Sequence, residues 1–162
     1  MTENIRVKVK KQAHARPGLP YNATVGSAGM DLAACISEPV TLVPRQRQSI
    51  PTGIALQIPH PGIVGLVFPR SGLAARQGLT LANSVGVIDS DYTGEILCIL
   101  VNHGNEDVTI SPGDRIAQIL FMPVCRTELF EVDELTDTHR GTGGFGSTGV
   151  QSSHHDESRE LE

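Results

Sequence analysis

Short runs of apolar residues, each bounded by Gly or Pro, recur along the chain: Ile5 to Val9, Val40 to Val43, Ile54 to Ile58, Ile63 to Phe68, Ile96 to Val101, Val108 to Ile110 and Ile116 to Val124. Within several of them apolar and polar positions alternate, the period of a strand with one buried face. Closely spaced strands punctuated by 17 Gly and 10 Pro predict an all-β fold, a sandwich or barrel. Only Ser71 to Arg76 departs from this pattern: Leu73, Ala74 and Ala75 favour a brief helix, and Gly78 stands where it would end. A doubly wound α/β fold would need several longer helical patterns, and they are missing.

From Thr136 the texture changes. Arg140 to Gly149 holds one large apolar side chain, Phe145, among residues that cannot form a core. The expected organisation is an all-β domain over 1–135, a Gly-rich arm over 136–149 that is mobile when nothing is bound, and a disordered polar tail over 150–162. In that tail His154 and His155 are adjacent but have no nearby Cys or spaced third ligand, so no metal site is expected there.

Composition narrows the function. A chain of 162 residues can bury a real core as one domain. Its 13 Lys and Arg against 18 Asp and Glu give a net charge of -5, which argues against a surface built for a nucleic-acid backbone. A highly anionic small ligand is still compatible, if basic groups and a metal gather locally. With 4% aromatic residues and no Trp, stacking platforms are scarce, so any stacking falls to one chosen ring. Cys35, Cys98 and Cys125 are odd in number and widely spaced, with no Cys-x-x-Cys pair, and predict reduced, mostly buried thiols in a cytoplasmic protein. Met1 to Lys11 alternates charge with Ile5, Val7 and Val9, so neither a signal peptide nor a membrane span is expected.

Five short blocks combine small residues with one or two polar groups. In Ala28 to Ala34, Asp31 sits between apolar neighbours at a strand end, either as a functional carboxylate or as a turn cap. In Pro69 to Ala74, Arg70, Ser71 and Gly72 precede the helical turn. A charged fork, a hydroxyl and a close backbone are phosphate-binding parts, although Ser before a helix is often only an N-cap. Asn83 to Ile96 reads as a β-hairpin with Tyr92 near its tip, able to offer edge N–H and C=O groups to a flat base; the alternative is an ordinary turn with solvated aspartates. Gly113 to Ile119 is a turn into a strand, in which Arg115 and Gln118 could be a structural ion pair and a satisfied amide. In the Gly-rich arm, Arg140 suits phosphate and Phe145 suits a base, where a solvated linker would be the bland alternative.

Together, from about Ile5 to Gly149, these blocks resemble the trimeric dUTP pyrophosphatase (dUTPase) family in order and spacing. The resemblance implies a jelly-roll-like β-barrel, a homotrimer whose active sites are shared between subunits, and hydrolysis of dUTP to dUMP and pyrophosphate. It further implies that Asp89 is the base activating a water, that Asn83 reads uracil together with backbone groups of Val87, Ile88 and Leu97, and that Tyr92 packs under deoxyribose. Arg70, Ser71, Gly72 and Gln118 would meet phosphate, Phe145 would stack on uracil, and Arg140 with Gly146, Ser147 and Thr148 would grip the distal end. Mg2+ is the implied cofactor, held mainly by phosphates and waters because no carboxylate cluster is dedicated to it, with Asp31 supporting those waters or the local hydrogen bonds. Two rival readings stay open: a dCTP deaminase of the same fold, and a nucleotide-binding module that acts through a regulatory partner.

Overall fold

The structure is a computed structural model that describes residues 4–12 and 18–144. In chain order it contains β1 (Lys8–Lys11), β2 (Met30–Ala33), β3 (Val40–Leu42), β4 (Arg47–Gln57), β5 (Ile63–Pro69), α1 (Ser71–Gln77), β6 (Leu79–Leu81), β7 (Gly86–Ile88), β8 (Glu95–Asn102), β9 (Val108–Ile110) and β10 (Arg115–Pro123). The chain divides into two units, Met1–Arg126 and Thr127–Glu162, and every one of these elements lies in the first. Within the second, the described residues carry turns but no strand or helix, and Leu129, Phe130 and Leu135 are exposed.

The strands form two four-stranded sheets, ordered β1-β4-β8-β6 and β2-β10-β5-β7, beside a two-stranded β3-β9 ladder. All their pairings are antiparallel. The fold is the expected all-β, jelly-roll-like architecture with one short helix. Its core draws on both sheets and the ladder: Leu32 and Ile119 from one, Ile50, Ile96 and Leu100 from the other, and Leu42 and Ile110 from the ladder. Each such side chain contributes roughly 1.5–3 kcal/mol through burial, so Leu100→Ala, which would open a cavity at full burial, costs on the order of 2–5 kcal/mol.

Local sequence explains some boundaries and pairing explains the rest. α1 ends as its residues dictate: Gly78 takes φ 67 and its N–H bonds Ala74 O at 3.0 Å. No side chain would fit at Gly78, since a Cβ would lie 2.4 Å from the Gly104 nitrogen. β1 is shifted from the apolar run to Lys8–Lys11, where exposed side chains sit on a sheet edge that lysines keep from pairing further. β4 starts well before its apolar run, because the exposed Arg47, Gln48 and Ser49 pair with Val101, Leu100 and Ile99 of β8.

β4 also carries a bulge. Pro51 pairs with Leu97 and Ala55 with Glu95, so β4 advances further than β8 between the two pairs. At the bulge Gly53 adopts φ 72, a left-handed conformation open to glycine, and its N–H donates to Glu95 Oε1 at 2.7 Å. The buried Thr52 hydroxyl donates to Ile96 O at 2.7 Å. Farther along β8, the fully buried Asn102 amide donates to Leu42 O (2.9 Å) and Glu106 O (2.7 Å) and accepts from Gly104 N–H (2.8 Å). One side chain thereby ties β3 and the loop before β9 to the end of β8.

The expected hairpin between Asn83 and Ile96 is not what forms. β7 pairs with β5, through Gly65 with Ile88 and Leu66 with Val87, whereas β8 pairs with β4 and β6 in the other sheet. Asp89 to Gly94 is therefore a connection that crosses between sheets. Turn residues signal only that the chain turns; the partner is chosen by contacts from β5, where a Cβ on Gly65 would press on Ile88 at 3.2 Å.

Candidate active site

The register of β10 assembles the first part of the site. Gln118 lies opposite Asp31 of β2 on one side and Phe68 of β5 on the other, so three blocks far apart in sequence meet on one sheet. Here a cleft of about 460 Å³ is lined by Asp31, Arg70, Ser71, Gly72, Arg115 and Gln118, among others. Asp31, 13% exposed, ion-pairs through Oδ1 with Arg70 Nε at 3.1 Å and accepts a hydrogen bond through Oδ2 from Arg115 Nη1 at 2.9 Å. Arg70 Nη1 also donates to Arg115 O at 2.9 Å, which fixes the plane of its guanidinium. One carboxylate thus holds two guanidinia, and the trio keeps a net positive charge facing the cleft.

Gln118 donates to Pro69 O at 3.1 Å, anchoring the segment that leads into α1. A Cβ on Gly29 would meet Gln118 Oε1 at 2.9 Å, so the small residue beside Asp31 lets the amide lie close. Arg70 is the N-cap of α1 and makes no side-chain capping bond, and Ser71 is the first helical residue, not its cap. The ion pair of Arg115 and the satisfied amide of Gln118 are both present, and both residues still line the cleft. The sequence pointed to Gln118 as a ligand group but passed over Arg115, whose only signal was its place beside a turn aspartate.

A second cleft, about 250 Å³, is lined by Asn83, Val87, Ile88, Asp89, Tyr92, Glu95 and Leu97, among others. Asn83 lies in a tight turn: Val85 N–H bonds Asn83 O at 2.7 Å, and Ser84 between them takes φ 61, a conformation that costs a non-glycine residue about 1 kcal/mol or more. Gly86 sits close to its neighbours, since a Cβ there would stand 3.2 Å from Val67 Cβ and 3.6 Å from Asn83 Nδ2. Beyond β7, Tyr92 N–H bonds Asp89 O at 3.1 Å, closing a turn that leaves Asp89 exposed at the rim. The Tyr92 hydroxyl donates to Glu95 O at 2.9 Å. An amide, strand-edge peptides, a ring and a carboxylate can together receive a flat heterocycle with its sugar and supply a proton acceptor.

Within one chain the two clefts share no lining residue. Successive strand residues point to opposite faces, and the neighbours Val67 and Phe68 line different clefts. The structure therefore groups Arg70, Ser71, Gly72, Gln118 and Asp31 in one place, and Asn83, Val87, Ile88, Asp89, Tyr92 and Leu97 in another. Arg140 belongs to the second unit, where its Nε donates to Gly143 O at 2.8 Å in a turn. Phe145, Gly146, Ser147 and Thr148 lie outside the described residues.

Among the described residues no group of three or more His, Cys, Asp and Glu could hold a metal ion. The carboxylate at the first cleft has both oxygens engaged by guanidinia. No helix of the described residues is long and apolar enough to cross a membrane. Cys98 of β8 points into the core, and desolvation pushes its thiol up to about 12.

The dUTPase family model matches residues 17–149. The deoxyuridine 5'-triphosphate nucleotidohydrolase of Desulfitobacterium hafniense is 51% identical over 151 residues, covering 91% of this chain and 98% of that protein. The protein of the same description from Hahella chejuensis is 48% identical over 153 residues, 93% of this chain and all of its own length (100%). Among solved structures, the dUTPase of Staphylococcus bacteriophage 80alpha with dUPNHPP superposes with a TM-score of 0.79 at 29% identity, covering 90% of this chain and 99% of that one. A mutant dUTPase from phage phi11 of S. aureus, described as coordinating a structural Mg(II) ion, reaches 0.71 at 25% identity, over 82% and 99% of the two chains. With the family model spanning both clefts and relatives at about half identity over nearly the whole chain, this protein belongs to the dUTPase family and is a hydrolase.

Proposed function

We propose that the protein hydrolyses dUTP to dUMP and pyrophosphate by water attack on the α-phosphorus, with Asp89 as the base, in sites that copies of a homotrimer build together. The observation that carries this reading is the division of chemistry between two clefts of one chain: guanidinia in one, a base-reading edge with a carboxylate in the other. Neither cleft alone can hold a nucleoside triphosphate and activate water. Pairing the first cleft of one copy with the second of another supplies both halves. Exposed Val87, Leu97 and Ile99 beside the second cleft, and exposed Leu129, Phe130 and Leu135, offer the apolar surface that such an assembly would cover.

In this site Arg70, Ser71, Gly72 and Gln118 bind the phosphates, with Arg70 held in place by Asp31. Asn83 and the backbone of Val87, Ile88 and Leu97 read uracil; cytosine would leave buried donors and acceptors unpaired. Tyr92 meets the deoxyribose face and refuses a 2'-hydroxyl. Asp89 takes a proton from water as the oxygen bonds to the α-phosphorus; the α–β anhydride bond breaks, and pyrophosphate leaves with the electron pair. The substrate arrives as its Mg2+ complex, since the described residues fit an ion carried by phosphates and waters better than one caged by carboxylates. That ion, when bound, neutralises phosphate charge. Residues 136–149 close over the ligand, with Phe145 on the base and Arg140, Gly146, Ser147 and Thr148 on the distal phosphates. The enzyme acts in the cytoplasm, supplies dUMP for thymidylate synthesis and keeps uracil out of DNA.

The test is pyrophosphate release from dUTP, dCTP, dTTP and UTP, with and without Mg2+, by the parent and by Asp89→Asn. The expected outcome is turnover of dUTP alone and a fall in kcat of about 10²-fold or more in the variant, with binding retained. Ammonia release from dCTP would establish the deaminase reading. Nucleotide binding with no turnover of any substrate would establish the binding module.

A further inference from the structure

A wall that excludes a ribose hydroxyl by contact works only if it cannot yield. Tyr92 is an unpromising wall by itself, since it is 45% exposed on a connection between two sheets, where a tyrosine would ordinarily rotate. Two neighbours remove that freedom. Gly94 lies against the ring: a Cβ there would be 2.6 Å from the Tyr92 hydroxyl oxygen and 2.7 Å from Cζ, so only glycine lets the ring rest on the backbone. The hydroxyl then donates to Glu95 O at 2.9 Å. Glu95 is itself secured, because its Oε1 accepts from Gly53 N–H at 2.7 Å in the β4 bulge. A continuous set of contacts runs from the left-handed Gly53 through Glu95 to the far end of the Tyr92 ring.

We infer that Gly94 and Glu95 are positioning residues for sugar recognition: they hold the Tyr92 ring against the backbone, and so set how strictly the site prefers deoxyribose to ribose. The inference rests on the proposed contact of Tyr92 with the sugar. It adds that the discrimination is governed by the residues that hold the ring and not by the ring alone, and that the bulge in a different strand supports it. Rotation of an unsecured ring would open space for one extra hydroxyl at little cost.

The experiment compares kcat/KM for dUTP with kcat/KM for UTP in the full chain. The variants are Gly94→Ala, Glu95→Ala, Glu95→Gln, Tyr92→Phe and Tyr92→Ala, each checked for folding by melting and for assembly by sedimentation. Gly94→Ala displaces the ring tip and should lower the dUTP-to-UTP ratio by about tenfold or more. Tyr92→Phe removes only the bond to Glu95 O and should lower it by about fivefold, a result available even if Gly94→Ala does not fold. Glu95→Ala should relax the ratio as well, whereas Glu95→Gln keeps an acceptor for Gly53 N–H and should restore it to within about twofold of the parent. If Tyr92→Ala abolishes discrimination while Tyr92→Phe and Glu95→Ala retain the parent's ratio, the positioning role is wrong and the sugar contact stands. If Tyr92→Ala itself leaves the ratio unchanged, the sugar contact is wrong and the positioning role falls with it.

Discussion

Replacing Asp31 by Asn tests the first cleft with little change of shape. In the parent both carboxylate oxygens are engaged by guanidinia, one ion-paired with Arg70 at 3.1 Å and one hydrogen-bonded and ion-paired with Arg115 at 2.9 Å. Fully buried, a charged hydrogen bond such as that from Arg115 would be worth about 1.5–3 kcal/mol. The arginine side chains are 28% and 45% exposed, so solvent screening brings each interaction nearer to about 1 kcal/mol. Asparagine keeps one acceptor and turns an N–H₂ toward the other arginine, so both ion pairs are lost and two cations face each other without a counter-charge. The expected loss is about 1–2 kcal/mol, a fall in melting temperature of about 3–8 °C. With Arg70 less firmly held, the KM for dUTP should rise about five- to tenfold at saturating Mg2+, while the Mg2+ concentration for half-maximal rate stays within about twofold. Pyrophosphate release titrated separately against dUTP and against Mg2+ distinguishes these effects. An unchanged KM together with a tenfold greater Mg2+ requirement would show that Asp31 serves the ion, and the anchoring argument would be refuted.

Truncation after Leu135 should leave a folded, assembled protein with little turnover; full activity by pyrophosphate release would contradict the closing role of residues 136–149. Asn102→Ala deletes three hydrogen bonds at a fully buried position and orphans their partners, so urea unfolding should show a loss of about 3–6 kcal/mol, and a loss below about 1 kcal/mol would count against the account of β8. For the thiols, burial raises Cys98 to about 12, so it stays protonated and shielded at neutral and mildly alkaline pH, whereas Cys125 is exposed. A thiol reagent at about pH 8 should label Cys125 in the native protein and Cys98 only after denaturation. Peptide mapping would expose an error if Cys98 reacted while the fold was intact.

The alternation of buried and exposed positions in β8, where Ile96, Cys98 and Leu100 are inside and Leu97 and Ile99 outside, could be read directly from the chain. Gly78 likewise announced the end of α1. What could not be read depends on partners distant in sequence. Arg47 to Ser49 have no apolar pattern of their own and become a strand because β8 offers them a ladder. The turn chemistry of Asp89 to Gly94 is the same whether its flanking strands pair with each other or part into separate sheets, so the hairpin expectation had no local signal to correct it. Among the site residues, Asp89, Asn83 and Arg70 are visible through their motifs. The hold of Asp31 on Arg115, separated by 84 positions, needed the β2-β10 register before Arg115 could be seen as part of the cleft.

The separation of the two clefts has a genetic consequence. If every site borrows one cleft from each of two copies, a chain defective only at Arg70 and a chain defective only at Asp89 are not equivalent losses. Co-expressed, they would assemble mixed rings in which some junctions unite the sound half of each, and two inactive alleles would rescue one another. By the same logic a chain damaged in one cleft spoils a single junction, so its harm matches its own share of the protein, whereas a chain damaged in both clefts would spoil two.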